Sequence, residues 1–159
     1  MNVREAELGD VEQISDLLQE LTRLGKRTRP DDADFVRENY VLGPHNIRCS
    51  VAEDAGVVLG IQILSRAQAG NQWGIEPGWG IIGTHTRAAA VRRGVGRALF
   101  EASLDAAKSA GVEKIDASIG ADNHEGLGYY AAMGFETYRS PQGRVCKVYD
   151  VAGGPKQAD

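Results

Sequence analysis

The residues best suited to chemistry stand together in Val91-Arg92-Arg93-Gly94-Val95-Gly96-Arg97-Ala98-Leu99-Phe100. Two glycines flank one apolar residue, with arginines on both sides. The stretch joins a β-like run, Trp79 to Thr86, to a helical pattern that reaches Ala110. The first amides of a helix have no intrahelical acceptor, and the helix dipole is positive there. Glycines without Cβ atoms let a bulky anion approach the backbone. Arg92, Arg93 and Arg97 add charge-assisted hydrogen bonds. The stretch reads as a phosphate seat.

A second glycine pattern, Gly78-Trp79-Gly80-Ile81-Ile82-Gly83, matches GxGxxG by letter. That fingerprint needs a strand before it and a helix opening inside it. Here Thr84-His85-Thr86 follows, which is β-prone, so these are strand glycines that permit a bulge or a close approach. No GxxxxGK[ST] occurs. Cys49 and Cys146 lie far apart, form no metal-binding spacing and fall in strand-like runs, so buried free thiols and no metal are expected.

The elements that must position the seat follow from periodicity. Residues 2–6 read as a first strand. Asp10 reads as an N-cap with Gln13 at capping-box spacing, ahead of Val11, Ile14, Leu17, Leu18, Leu21 and Leu24 on one helical face. Gly25 is a stop, followed by the basic loop Lys26-Arg27-Thr28-Arg29-Pro30. A second short helix from Asp31 or Asp32 buries Phe35, Val36 and Tyr40. Ile47, Cys49 and Val51 alternate as a strand, Asp54-Ala55-Gly56 is a hairpin turn, and Val57 to about Ser65 is its partner strand. A glycine-containing loop leads to the fourth strand, Gly80 to Thr86. After the glycine stretch, Leu99, Ala102, Ala106 and Ala110 are expected to face a core, with Gly111 as the stop. Ile115, Ala117 and Ile119 form a fifth strand, Asp122-Asn123-His124 caps a helix to about Met133, and two last strands follow. This order implies an α+β single domain over residues 1–150, with a flexible tail over 151–159. Its sheet is mixed and mostly antiparallel, of about six or seven strands with about four helices.

The chain has 159 residues, 42% apolar and 25% charged, with a formal net charge of −4. This is one soluble globular domain. The acidic balance disfavours nucleic acid as a partner, so the arginines at 92, 93 and 97 are a local patch for a small anion. No apolar run approaches membrane-spanning length, and the N-terminus lacks an apolar targeting core. No membrane partner and a cytoplasmic location are the expectation.

Arg92-Arg93-Gly94-Val95-Gly96-Arg97-Ala98-Leu99 resembles the acetyl-CoA signature of the GCN5-related N-acetyltransferases (GNAT superfamily), Gln/Arg-x-x-Gly-x-Gly/Ala. Asn123 with Gly126, Tyr130, Gly134 and Phe135 is similar to that family's second motif, N-x-x-A-x-x-x-Y-x-x-x-G-F. The resemblance covers about residues 1–150. It departs at Val91, which stands at the Gln/Arg position, so the phosphate grip is expected to rest on backbone amides. It departs also at Gly126, where alanine is usual.

The resemblance implies a GNAT-like sheet whose fourth and fifth strands splay, and an acetyl-CoA-dependent N-acetyltransferase acting on the primary amine of a small molecule. It implies pyrophosphate at the amides of Arg93, Gly94, Val95, Gly96, Arg97 and Ala98, with Arg92 beside them. It implies the pantetheine arm along Thr84, His85 and Thr86, with Asn123 hydrogen-bonded to that arm or simply capping its helix. Tyr130 stands where the family has its general acid, which protonates the departing thiolate as a tetrahedral intermediate collapses; the alternative is that it only packs. Tyr129 is expected to face elsewhere. For the general base, His85, Glu76 and Asp122 are candidates, as is none of them. Lys26, Arg27 and Arg29 form either a solvated basic loop or a contact for an acidic acceptor. Trp73 and Trp79 wall the cleft or fill the core. A non-catalytic acyl-CoA-binding module and a protein or peptide N-acetyltransferase are the competing readings, and a homodimer is compatible with such a domain.

Overall fold

The computed structural model describes residues 1–153. Its strands are β1 (Asn2–Glu5), β2 (Asn46–Asp54), β3 (Val57–Arg66), β4 (Gly80–Thr86), β5 (Lys114–Gly120), β6 (Glu136–Arg139) and β7 (Arg144–Asp150). They form one sheet in the order β1-β2-β3-β4-β5-β7-β6, antiparallel except for β4 with β5. The helices are α1 (Val11–Arg23), α2 (Ala33–Phe35, running on as a π-helical turn, Val36–Val41), α3 (Val95–Ser109) and α4 (His124–Met133). The expected α+β fold is the observed one.

One face of the sheet packs on α1 and α2. Ile14, Leu17, Leu18 and Val36 are fully buried there against Val51, Val58 and Ile61. Leu24, expected on the same stripe, is exposed, because α1 has ended at Arg23. The start of α1 also differs from expectation. Asp10 is buried and stands at the N-cap position of α1, but its side chain makes no cap bond to that helix and instead closes a capping box with Glu7 over the turn Leu8–Asp10. Its carboxylate accepts from Arg4 (2.8 Å to each oxygen) and from the Glu7 amide (2.7 Å). Gln13 instead reaches the β2–β3 turn, donating to Gly56 O (3.0 Å) and accepting from Val58 N (2.9 Å). A buried arginine pair outweighs a local cap, and the same contacts pin β1 and α1 to the hairpin.

The other face packs on α3 and α4. The buried stripe of α3 is Val95, Leu99, Phe100, Ser103 and Ala107, whereas Ala110 is exposed. Of the expected stripe Leu99 is fully buried, while Ala102 and Ala106 are only half-buried, so the core face is turned from Ala102, Ala106 and Ala110 toward Val95, Phe100 and Ser103. The bulky residues set the helix's orientation, since they bury the most apolar area. Gly60 lets α3 sit close: a Cβ there would lie 2.9 Å from Val95 Cγ1.

The feature that makes the site is the β4–β5 junction. The two strands pair only at Gly80↔Ile115 and Ile81↔Asp116. β4 then stays on β3 as far as Gly60↔Thr86, while β5 stays on β7 as far as Gly120↔Arg144. The splay expected for the fourth and fifth strands is present. Val151 is buried and donates to Glu113 O (2.9 Å), and the expected tail residues 154–159 lie outside the described residues. Among the described residues, no helix is long and apolar enough to cross a membrane.

Candidate active site

The splay opens a cavity of about 360 Å³ that draws on both faces of the sheet. Thr84, Asn123 and Tyr130 line it from the α3–α4 side, and Tyr40, Trp73 and His85 from the α1–α2 side. Beyond Ile81, β4 has no strand partner on its β5 side, so its backbone polar groups are left for a ligand or water.

Gly94 caps α3 in the left-handed region (φ 79°), and nothing lies within 4 Å of where its Cβ would be. The first bond into the helix is Ala98 N–H to Gly94 O (3.1 Å). Among the described residues, the amides of Gly94, Val95, Gly96 and Arg97 have no backbone acceptor. They are the orphan donors of a helix start, and the dipole adds to their pull on an anion. Arg92 and Arg97 are exposed beside them. Arg93 is engaged with Asp54 of the hairpin turn (2.8 Å).

Gly96 serves a different purpose. A Cβ there would lie 2.5 Å from Tyr129 Cε1. Tyr129 donates its hydroxyl proton to Gly96 O (2.7 Å), so it turns toward α3 and holds the glycine loop from behind. The hydroxyl in turn accepts from Gln62 Nε2 (2.9 Å), which also donates to Thr84 Oγ1 (2.9 Å). Ser103 Oγ closes the set by donating to Gln62 Oε1 (2.6 Å). Gln62 is fully buried and every polar atom of its side chain is satisfied.

Tyr130 lies at the far end of this network. Its hydroxyl is 2.8 Å from Thr84 Oγ1 and its ring packs on Tyr129 and Phe135. Burial raises its pKa above the ordinary phenol value, so it is protonated throughout the neutral range. On the opposite face, His85 stacks on Tyr40 with centroids 5.9 Å apart, and its Nε2 is 3.5 Å from Tyr40 Oη. Burial, with Arg27 and Arg29 nearby, pushes the imidazole down to about 3. His85 is therefore neutral at physiological pH.

A model of the acetyltransferase (GNAT) family matches residues 11–135 of the sequence. The chain belongs to the GNAT acetyltransferase family. Solved structures carry the same fold. A GCN5-related N-acetyltransferase from Kribbella flavida is 23% identical, over 94% of this chain and 96% of that one, with a TM-score of 0.78. The PaiA N-acetyltransferase of Thermoplasma acidophilum, in complex with coenzyme A, is 14% identical over 94% and 98%, with a TM-score of 0.72. A Salmonella typhimurium protein with its cofactor acetyl-CoA is 19% identical over 94% and 93%, with a TM-score of 0.71. No curated protein sequence matches the chain.

Within this GNAT fold, the residues singled out in the sequence fall into separate groups. Thr84, His85, Asn123 and Tyr130 share the cavity, and Asn123 Oδ1 also caps α4 by accepting from Gly126 N (3.0 Å). Thr86 sits opposite Gly60 at the end of β4, outside the cavity lining. Glu76 and Asp122 are exposed and outside it too. Trp73 lines the cleft, whereas Trp79 packs against Tyr138 (5.7 Å between centroids). Both cysteines are buried and unpaired. Gln62, Ser103, Ser118 and Arg144 were not singled out. The signal for Ser118 lay in β5, where Asp116 and Ser118 alternate with Ile115, Ala117 and Ile119: a strand buried on both faces keeps polar residues only where something uses them. Ser118 lines the cavity and donates to the buried Asp116 (2.9 Å).

Proposed function

We propose that this enzyme transfers an acetyl group from acetyl-CoA to the primary amine of a small molecule by direct attack, with Tyr130 as general acid. The observation that carries the proposal is one hydrogen-bonded chain. It runs from Gly96, among the free amides at the start of α3, through Tyr129 and Gln62 to Thr84 on the unpaired edge of β4 and the Tyr130 hydroxyl in the cavity.

These residues fit coenzyme A. The amides of Gly94 to Arg97 would hold its pyrophosphate, with Arg92 and Arg97 as flanking cations. The backbone of β4 past Ile81 would pair with the amides of the pantetheine arm, and Asn123 would contact the same arm. Bound there, acetyl-CoA supplies an activated thioester at the cavity.

Gln62 donates to Thr84 Oγ1, and in the arrangement proposed here the Thr84 hydroxyl donates to the Tyr130 oxygen, which leaves the phenol proton for the cleft. The amine nitrogen attacks the thioester carbon, and as the tetrahedral intermediate collapses Tyr130 delivers its proton to the departing sulfur; the proton shed by the new C–N nitrogen leaves through water, which restores the phenol. The acceptor enters from the α1–α2 side, past Tyr40 and Trp73. Neutral His85 and the nearby cations Arg27 and Arg29 disfavour an ammonium, so the amine binds as the free base and loses its proton to water beforehand. A cleft of about 360 Å³ is of a size that suits a small acceptor.

Release of CoA thiol, measured with a panel of amines, amino acids and polyamines, tests this reading. At least one small amine is expected to give release and an N-acetyl product. Tyr130→Phe should lower kcat by about 10²–10⁴ with little change in CoA affinity. An unchanged kcat would remove Tyr130 from the chemistry, and no release with any amine would reject the transferase reading.

A further inference from the structure

The basic loop between α1 and α2 carries three cations, and the structure separates their roles. Lys26 is ion-paired with Glu125 of α4 (3.0 Å). Arg27 is buried, donating to Pro30 O (2.7 Å) and Tyr40 Oη (3.0 Å). Arg29 is exposed, lines the cavity and has no ion pair or hydrogen bond among the described residues. Its guanidinium lies over two rings, 5.7 Å from the Phe35 centroid and 6.0 Å from that of Trp73.

A second guanidinium converges on the same indole. Arg144 of β7 lies over Trp73, with Cζ 5.3 Å from the ring centroid. It stands in register with Gly120, which lines the cavity. Its Nη1 is enclosed and has no hydrogen-bond partner, and no carboxylate pairs with the side chain among the described residues. An enclosed guanidinium nitrogen without a partner is costly. The two arginines over this ring thus bring two cations with no acidic partner among the described residues to one side chain.

Trp73 itself is fixed. Arg139 Nη2 donates to its carbonyl (2.6 Å), and Asn71 Oδ1 accepts from its amide (3.1 Å). The backbone is thus held at both its polar groups, and the indole carries two planar cations at the rim of the cleft. No Asp or Glu is among the residues lining that cleft.

We infer that the acceptor amine carries a carboxylate, held at Trp73 by Arg29 and Arg144, so that the substrate class is amino acids or close analogues. The inference rests on the transferase reading above. Planar guanidinium donors match a carboxylate's two oxygens, and the stacked indole holds them in place before the ligand arrives. A polyamine or other cationic acceptor would meet like charge at this rim.

The test uses matched acceptors: an amino acid, its carboxamide, and the amine that lacks the carboxyl group. The wild type should prefer the acid over the amide by about tenfold or more in kcat/KM, the worth of one charge-assisted contact. Arg29→Gln and Arg144→Gln should each shrink the acid-to-amide ratio toward one through KM, and Arg144→Lys should restore part of it. Calorimetry with the N-acetylated acid and the N-acetylated amide, in the presence of CoA, reads the same contact without turnover. Equal or better use of the amide or the carboxyl-free amine would overturn the inference and leave the transferase reading intact. So would variants that weaken acid and amide alike. If no amine is turned over, the transferase reading fails. The calorimetric comparison then decides the site alone: tighter binding of the acid supports it, and equal binding overturns it.

Discussion

His85 and Thr84 are neighbours in β4, yet strand alternation sends them to opposite faces and to different environments. Thr84 joins a satisfied polar network, while His85 is enclosed beside cations and held neutral. This has a measurable consequence. The folded-state pKa of about 3 lies below the imidazole's ordinary value of 6.5. Between those two values the unfolded chain binds a proton that the native one refuses. The stability that neutral His85 allows is therefore complete above 6.5 and falls as pH drops toward 3, by up to about 1.4 kcal/mol per pH unit. Denaturant unfolding at pH 7 and pH 5 should show a loss in the wild type that His85→Gln reduces. Equal losses in both proteins would mean that the imidazole is not kept neutral. For catalysis the same neutrality predicts no inflection of kcat/KM near 6.5 and a rise through the acceptor's own amine pKa. At this scale the sequence was legible where a motif sets spacing, as for Asn123 and Tyr130. Gln62, Ser103 and Tyr129 were not legible. Their network joins β3, α3 and α4, and nothing in the local sequence of any one element records such a contact.

At the scale of elements, the start of α3 combines two glycines that do different work. Gly94 supplies a left-handed residue with open space around it, and Gly96 supplies room for the Tyr129 ring. Gly94→Ala should cost about 1–2 kcal/mol of stability from backbone strain alone. Gly96→Ala should cost more and weaken CoA binding as well, because the ring that braces the loop must move. The cost of Gly96→Ala should shrink in a Tyr129→Ala background, as the coupling of a double-mutant cycle. A cost that is the same in both backgrounds would put the glycine's role on the ligand side instead. The sequence marked this element's ends correctly but misplaced its buried face. Alanine periodicity is a weak guide to rotation when Val95, Leu99 and Phe100 offer far more apolar area. At the start of α1, Asp10 holds the N-cap position its type suggests, but its side chain makes no cap bond to the helix, because Arg4, six residues from Asp10 and 49 from Glu53, claims both carboxylates.

For the whole molecule, the site exists because the sheet divides. β1 to β4 hold together on one side and β5, β7 and β6 on the other, joined by two residue pairs at the base. α1 and α2 cover one face of the opening, and α3 and α4 the other. The cations proposed to meet ligands separate accordingly, with Arg92 and Arg97 at the helix start and Arg29 and Arg144 beside Trp73. Element order and turn chemistry sufficed for the α+β class, and the two glycine motifs pointed to the family. Strand order and the convergence of Arg29 with Arg144 depend on tertiary pairing that periodicity does not encode. In the proposed direct transfer an amine meets the thioester in the cleft, with no acetylated protein between them. Cys146 is fully buried, and burial pushes the Cys49 thiol up to about 12, so neither thiol is a ready nucleophile. Rapid-quench measurement of acetyl-CoA mixed with excess enzyme, with and without an accepted amine, tests this most directly. The account predicts thiol release only when amine is present, with one N-acetyl product per thiol. Stoichiometric release without amine, leaving an acetylated protein, would contradict it.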